Sequence, residues 1–322
     1  MAVRKGWQLE LITDEGLHGW GECTPLPSHG SEDFATAESA MAAWQPALVG
    51  RRLAEILKTL ATRESFAAPS ARSAAECAVL DLLAQVSQQP LDLFLGATNP
   101  QRTVLANDAL GSLDALQAIR PEFSVVKLKL GLASPEIELD ALRTLAAQLP
   151  AGTRLRLDAN RAWDAATAAR LLPALAELPV ESVEEPLQTP DIDALRELQR
   201  ILPYPLALDE SLTLVNRQTL LDTAPVRRLV LKLAPLGGLL PALALARQAH
   251  AAGMECVVTT GIDSSVGTLA AAHLASALNN ALAHGLATGD WLAGMTGEMP
   301  VWSGDRLVLP GRDGLGYSTI DD

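Results

Sequence analysis

Lys127 and Lys129 are separated by one residue in the run Val125-Val126-Lys127-Leu128-Lys129. Alternate residues of a strand share a face, so a strand here carries both ammonium groups on one side. Burial and a like-charged neighbour both lower a lysine pKa, which suits one of the pair to act as a base near neutral pH. A third lysine, Lys232, lies in the apolar run Val230-Leu231-Lys232-Leu233, where an unpaired ammonium group is costly. Three acids, Asp158, Glu184 and Asp209, end β-rich runs at intervals of 26 and 25 residues. One strand-and-helix unit is about that long, so a parallel sheet brings all three carboxylates to one height. Converging carboxylates repel one another unless a cation joins them. Hard oxygen ligands in that number favour Mg²⁺. Taken singly, each residue has an ordinary reading: Asp158 or Asp209 as a helix cap, Glu184 as a surface acid, Lys232 as a stem packed in a wall with its head in water. Three acids in register are hard to explain that way.

The elements that must position these residues follow from the hydrophobic pattern. Gly6–Thr13 and Leu17–Cys23 alternate around Asp14-Glu15-Gly16 and predict a β-hairpin. Helical patterns follow at Glu32–Val49, Leu53–Arg63 and Ser70–Gln88. Residues 1–100 therefore read as an α+β module. From residue 101 to 290, eight short β-rich runs alternate with helical stretches at Leu113–Arg120, Pro135–Gln148, Ala165–Glu177, Ile192–Ile201, Asn216–Ala224, Leu239–Ala252 and Gly267–Leu278. Eight such units favour a closed TIM-like barrel over an open sheet. No GxGxxG follows the first run and no GxxxxGK[ST] occurs, so a nucleotide-binding fold has no local support. Residues 291–322 return to short β-like runs and are expected to pack back on the first module.

At each strand end the barrel reading adds candidates: Arg156 and Asn160 around Asp158, Glu210 beside Asp209, and Ser264 with Ser265 after the seventh strand. The two serines suit either a substrate carboxylate or a helix cap. His250 and His273 fall within helical patterns and read as structural. Gly237-Gly238 reads as a turn.

The chain has 322 residues, 25 Lys plus Arg against 38 Asp plus Glu, and a net charge of −13. That balance argues against nucleic acid or an anionic membrane as partner, while leaving room for a small anionic ligand. Cys23, Cys77 and Cys256 are far apart and form no CxxC, so a disulfide framework is not expected and a reducing cytoplasm fits. No run of about 18 apolar residues suggests a membrane span. The oligomeric state is left open.

The quoted residues resemble the enolase superfamily, and the Lys-x-Lys run with Lys232 resembles its muconate-lactonizing-enzyme subgroup. The further matches are Arg154–Trp163 (RLRLDANRAW), Val183–Pro186 (VEEP), Leu208–Ser211 (LDES) and Leu231–Pro235 (LKLAP). The resemblance implies an α+β cap over a modified (β/α)7β barrel. It implies Mg²⁺, or Mn²⁺ in its place, on Asp158, Glu184 and Asp209, with Asn160 and Glu210 behind the ligands. It implies acid/base lysines at Lys129 and Lys232, with Lys127 keeping the pKa of Lys129 down and Arg156 aiding substrate positioning. The family's cap normally begins with a further strand and a lid loop, and Val3–Trp7 matches the segment after that loop.

Within the subgroup, Gly19–Pro27 (GWGECTPLP), Ile262–Gly267 (IDSSVG) and Ala283–Ala293 (AHGLATGDWLA) resemble o-succinylbenzoate synthase. The expectation is therefore a lyase of menaquinone biosynthesis, converting 2-succinyl-6-hydroxy-2,4-cyclohexadiene-1-carboxylate to o-succinylbenzoate through an enediolate. The alternatives are a racemase of N-acylated amino acids or a dipeptide epimerase, and a truncated Mg²⁺-binding barrel with little activity. Dipeptide epimerases usually carry Asp-x-Asp on strand eight, where this chain has Gly285-Leu286-Ala287.

Overall fold

The computed structural model describes residues 3–99, 102–111, 119–294 and 296–320. The cap opens with an antiparallel hairpin of β1 (Trp7–Ile12) and β2 (His18–Cys23), turned at Gly16, and continues with α1 (Phe34–Leu48), α2 (Leu53–Leu60), α3 (Pro69–Val86) and α4 (Leu91–Leu95). Asp33 caps α1 by accepting a hydrogen bond from the Thr36 N–H at 2.7 Å. Helix α3 is buried on almost every side, and its alanines let β2 approach its backbone. A Cβ at Gly19 or Gly21 would fall 2.3 Å from the Ala78 carbonyl oxygen or 1.9 Å from that of Ala74, so only glycine fits there.

The barrel strands are β4 (Asp108–Leu110), entered from β3 (Thr103–Leu105), then β5 (Val125–Lys129), β6 (Arg154–Asp158), β7 (Val180–Glu184), β8 (Leu206–Leu208), β9 (Arg228–Leu231) and β10 (Glu255–Val258). They form one parallel sheet in sequence order. The segment at His284 and Gly285 closes it, pairing in parallel with Ala106 on one side and Thr259 on the other. The closed (β/α)7β ring agrees with the sequence expectation. Crossing helices are α5 (Pro135–Ala146), α6 (Ala165–Leu175), α7 (Ile192–Ile201), α8 (Arg217–Thr223), the short α9 (Leu233–Leu236) with α10 (Leu239–Ala251), and α11 (Ser265–Ala277). Asp164, Asp191 and Asn216 cap α6, α7 and α8. Gly237 and Gly238 make the left-handed turn between α9 and α10. The helix expected over Leu113–Arg120 falls largely outside the described residues. The tail forms a hairpin of β11 (Val301–Ser303) and β12 (Arg306–Val308) added to β3. Beyond it, the Gly314 carbonyl accepts the Leu91 N–H and the Leu315 N–H donates to Asp81 of the cap. Among the described residues, no helix is long and apolar enough to cross a membrane.

Two apolar layers sandwich the ring. Leu128, Leu157, Val183, Leu208, Leu229 and Leu231 face the helices in the main core, while Ala207, Val230 and Val257 form a separate small plug inside. The barrel floor is polar. Arg156 donates from Nε to Glu181 at 3.1 Å, from Nη1 to the Asn107 side chain at 2.8 Å and from Nη2 to the Ala283 carbonyl at 2.9 Å. Glu181 also accepts from Arg228, which pairs onward with Glu255 at 2.9 Å. A register shift beside Leu155 and Arg156 brings Glu181 into this chain of charges.

Burial alone would raise the Glu181 carboxyl, but Arg156 and Arg228 hold it down to about 2. A carboxyl lowered on folding stabilises the fold above its unfolded pKa of about 4.3, and that contribution is lost as pH falls toward 2. Glu181→Gln leaves two buried guanidinium groups short of a counter-charge, so the expected cost at pH 7 is about 3–5 kcal/mol in urea unfolding. The wild type should also lose more stability than the variant between pH 4.5 and 2.5. Equal stability at pH 7 would show that the floor network does not hold the barrel.

Candidate active site

The upper rim of the ring collects the charged strand ends. Register aligns Lys127 with Arg156, Lys129 with Asp158, Asp158 with Glu184, and Glu184 with Ala207. Asp209 stands two residues beyond Ala207 and Lys232 two beyond Val230, so both share the inward face of the apolar plug. Lys127 Nζ lies 2.9 Å from Asp158 Oδ2 and donates to Glu184 Oε2. Lys232 Nζ donates to Asp209 Oδ2 at 2.7 Å. The side chains of Asp158, Glu184, Asp209 and Lys232 are all buried. Lys129 is half-buried and makes no hydrogen bond or ion pair with the described residues.

Pairing decides the protonation of this ring. Burial works against the Lys127 ammonium, but Asp158, Glu184 and Asp209 outweigh it and hold its pKa above the ordinary value. The expected depression of the Lys-x-Lys pair is therefore reversed at Lys127, because a like-charged neighbour counts for less than three acids. Burial opposes charge on Asp158 too, yet Lys127 keeps that carboxyl below its usual range. Asp209 goes the other way. Burial, with Glu210 and Glu184 adding to it, pushes its carboxyl up to about 8 against Lys232 and Lys127. Lys232 is buried as well, but Asp209 and Glu210 keep it protonated above its ordinary range.

The remaining sequence candidates divide. Glu210 faces Lys232 at 3.4 Å, and the Asn160 backbone N–H donates to Asp158 at 3.1 Å while the Asn160 side chain is exposed. Arg156 lies one strand step below Asp158: its guanidinium donates to Glu181, Asn107 and the Ala283 carbonyl, and its Nε stands 3.7 Å from Glu184 Oε1. Buried among these partners it supports Glu184 from below, and the expectation that it positions substrate is corrected. Ser264 and Ser265 are also corrected. Ser264 donates its N–H and hydroxyl to Glu22, and Ser265 donates its hydroxyl to the Gly297 carbonyl at 2.8 Å.

Three supporting residues escaped the sequence reading. Glu185, held in a left-handed conformation, accepts from the N–H groups of Asp209 at 2.5 Å and Ser211 at 2.9 Å and from the Ser211 hydroxyl, fixing the turn that carries Asp209. The doubled acid of Glu184-Glu185 was the available signal for this role. Glu22 reaches from β2 to the start of α11, where it also accepts the Gly267 N–H. Burial and Asp263 push its carboxyl up to about 6 despite those donors. His29 comes from the loop after β2 and meets Lys232. Both contacts span more than 200 residues, and nothing local in the sequence marks them. The loop, the end of β10 and Lys232 bound a small cleft open to solvent, with Arg4, Thr24, Ser31 and Asp263 in its wall.

Among the described residues no three acid, histidine or cysteine side chains form a ready metal cluster. The Lys127 and Lys232 ammonium groups stand against the carboxylates instead. The donor set nevertheless fits a hard divalent cation. It consists of buried carboxylate oxygens on three neighbouring strand ends, and an Asp209 raised to about 8 marks a ring short of positive charge.

Residues 7–96 match the family model described as the mandelate racemase / muconate lactonizing enzyme N-terminal domain. Residues 112–322 match that described as enolase C-terminal domain-like. The hydrophobic dipeptide epimerase of Enterococcus faecalis (strain ATCC 700802 / V583) is 30% identical over 96% of this chain and 90% of its own length. The L-Ala-D/L-Glu epimerase of Bacillus subtilis (strain 168) is 30% identical over 96% of this chain and 87% of its own. The crystal structure of the dipeptide epimerase from Enterococcus faecalis V583 superposes with a TM-score of 0.87 at 27% identity, covering 97% of this chain and 93% of that one.

If the three rim carboxylates are the cation site, Asp158→Asn, Glu184→Gln and Asp209→Asn should each weaken Mn²⁺ binding by about two orders of magnitude. Lys129→Ala should leave it within about threefold, since Lys129 pairs with no ring carboxylate. Calorimetric titration at constant pH reads both. Undiminished affinity in the carboxylate variants would place the cation elsewhere.

Proposed function

The chain belongs to the enolase superfamily, in its mandelate racemase / muconate lactonizing enzyme group, and from that premise we propose that it is a racemase or epimerase of N-acylated amino acids. The observation that carries the proposal is the placement of the rim lysines. Lys129 ends β5 and Lys232 follows β9, four strands away in a ring of eight. They therefore stand on opposite sides of the carboxylate group, as inversion at one carbon requires. The relatives named above support the same reading, since both invert an amino-acid centre according to their names.

A divalent cation on Asp158, Glu184 and Asp209 would supply the positive charge that makes a carboxylate's α-proton acidic. The chain's own residues do the proton work. Lys129, free of ion pairs, removes the α-proton from one face as a neutral amine. Lys232, held as an ammonium group by Asp209 and Glu210, delivers a proton to the opposite face. In the reverse direction the two exchange roles, so one proton leaves and one arrives in each turnover. Lys127 bridges Asp158 and Glu184 and keeps the Asp158 carboxyl ionised. The strand-eight segment presents buried Leu286 and Ala287 at the positions of the expected Asp-x-Asp. A free dipeptide amine would find no carboxylate there, which favours a neutral acyl group on the substrate nitrogen.

The o-succinylbenzoate synthase reading is the second. It is favoured by that missing acid and by the matching runs at Gly19–Pro27 and Ala283–Ala293. It would use Lys129 alone as base, with Lys232 as a fixed cation.

One experiment separates the two. Mg²⁺-loaded protein is incubated in D₂O with N-acetyl and N-succinyl amino acids and dipeptides of both configurations, and loss of the α-proton signal is followed by NMR. A parallel absorbance assay follows o-succinylbenzoate formation. The proposal expects exchange with inversion and no dehydration, and losses of about 10²–10⁴-fold in racemisation for Lys129→Ala and for Lys232→Ala. Dehydration without α-proton exchange would refute it.

A further inference from the structure

We propose that His29 is the positioning residue of Lys232, a hydrogen-bond acceptor delivered by the cap that aims this lysine into the ring. The proposal rests on the reading of Lys232 as one of two proton-transfer lysines. An ammonium group has three N–H donors. Those of Lys232 meet three acceptors: Asp209 Oδ2 at 2.7 Å, Glu210 Oε1 at 3.4 Å and His29 Nδ1 at 2.6 Å. Two are acids from the adjoining strand end, whereas His29 alone comes from the cap, 203 residues away in the chain. Burial and the charge of Lys232 lower the His29 imidazole to about 4 against the pull of Glu210, whose Oε1 lies 3.5 Å from the same Nδ1; the ring is neutral, and with its proton on Nε2 the Nδ1 accepts from Lys232. A neutral acceptor orients the ammonium group without adding another negative charge to a ring that already holds three buried acids.

The loop is built to hold the imidazole there. Pro27 starts a single 3₁₀ turn closed by the N–H groups of His29 and Gly30, and the Leu26 N–H donates to Ser31 Oγ at 2.6 Å. Gly30 takes a left-handed conformation at φ +91 and packs on Thr213, where a Cβ would fall 2.8 Å from Thr213 Cγ2. Thr213 ends the turn that begins at Glu210. The loop thus docks on the segment that carries two of the Lys232 partners. Lys129, on β5, makes no hydrogen bond to the cap among the described residues, although its charge also acts on His29. The hydrogen bond from this loop therefore orients the Lys232 side of proton transfer.

Two variants separate an acceptor from a spacer: His29→Asn keeps an oxygen near the Nδ1 position, and His29→Leu keeps bulk without an acceptor. With the N-acylated amino acid that exchanges fastest in wild type, the α-proton of each enantiomer is followed in D₂O. His29→Leu should slow racemisation by about tenfold or more and slow exchange from one enantiomer only, the other staying within about threefold. His29→Asn should restore both to within about threefold. Equal slowing of both enantiomers in His29→Leu, or slowing of neither, would overturn the proposal. If wild type exchanges no α-proton at all, the racemase reading fails. The contact is then judged in metal-free protein by amidination of Lys232, mapped by peptide mass spectrometry. Faster labelling in His29→Leu than in wild type and His29→Asn supports the contact, and equal labelling overturns it.

Discussion

Charge inside a closed barrel has to be matched inside that barrel, and this requirement shapes the rest of the molecule. The helices shield the strands from water on one side, and the ring shields them on the other. Every inward-facing acid therefore needs a partner within reach. The floor meets the requirement permanently, through Glu181 between Arg156 and Arg228. The rim meets it only in part, through Lys127 and Lys232. That imbalance separates scaffold from site. A fully paired layer is rigid and inert, whereas an under-compensated layer can accept a cation and an anionic substrate. The small plug of Ala207, Val230 and Val257 lies between strand starts and rim on β8, β9 and β10, and keeps the two layers apart there.

The cap depends on the same ring. Its hairpin is pressed to α3 by glycines at 19 and 21, which fixes the chain that follows β2. That chain then makes a series of polar contacts with the barrel mouth. Glu22 accepts hydrogen bonds at the start of α11, Thr24 donates to Asp263 at 3.1 Å, and Arg4 donates to the carbonyls of Thr24 and Pro25 and to that of Ile262 at 3.3 Å. These contacts join backbone to backbone through side chains, so the position of the loop is set by the ends of β2 and β10. His29 stands at the far end of this arrangement.

What the sequence made legible was whatever repeats. Strand-and-helix units of nearly constant length placed Asp158, Glu184 and Asp209 on neighbouring strands, and the period of two put Lys127 and Lys129 on one face. Closure of the ring followed from the number of units. The failures have a common cause as well. Arg156 shares a face with Asp158, but two residues of strand amount to roughly 6.6 Å of height. Its hydrogen bonds go to Glu181, Asn107 and the Ala283 carbonyl at that lower level, partners that the period of two cannot name. Ser264 and Ser265 sit where a helix begins, yet their partners are Glu22 and Gly297, more than 30 and up to 242 residues distant. Glu185 adjoins Glu184 in the sequence, but its left-handed backbone turns it onto the next strand end. Contacts between cap and barrel have no signature in local pattern at all.

The division between ring and cleft explains why one constellation can serve several reactions. On the proposed reading, lysines on two sides of an acid group take and return a proton α to a carboxylate. They do not determine what else is attached to that carbon. That choice falls to the wall formed by the cap loop, the end of β10 and the segment after α9. Here the wall combines Asp263 and Arg4, already joined to cap and barrel backbone, with apolar Leu26, Leu233 and Pro235. Its charged groups are largely committed to holding the loop, which leaves apolar surface and the open mouth to meet the distal part of a substrate. A substrate with a neutral acyl group suits such a wall, because a free ammonium group would need an uncommitted acid. Strand eight contributes buried Leu286 and Ala287 where the dipeptide-type reading expected acids.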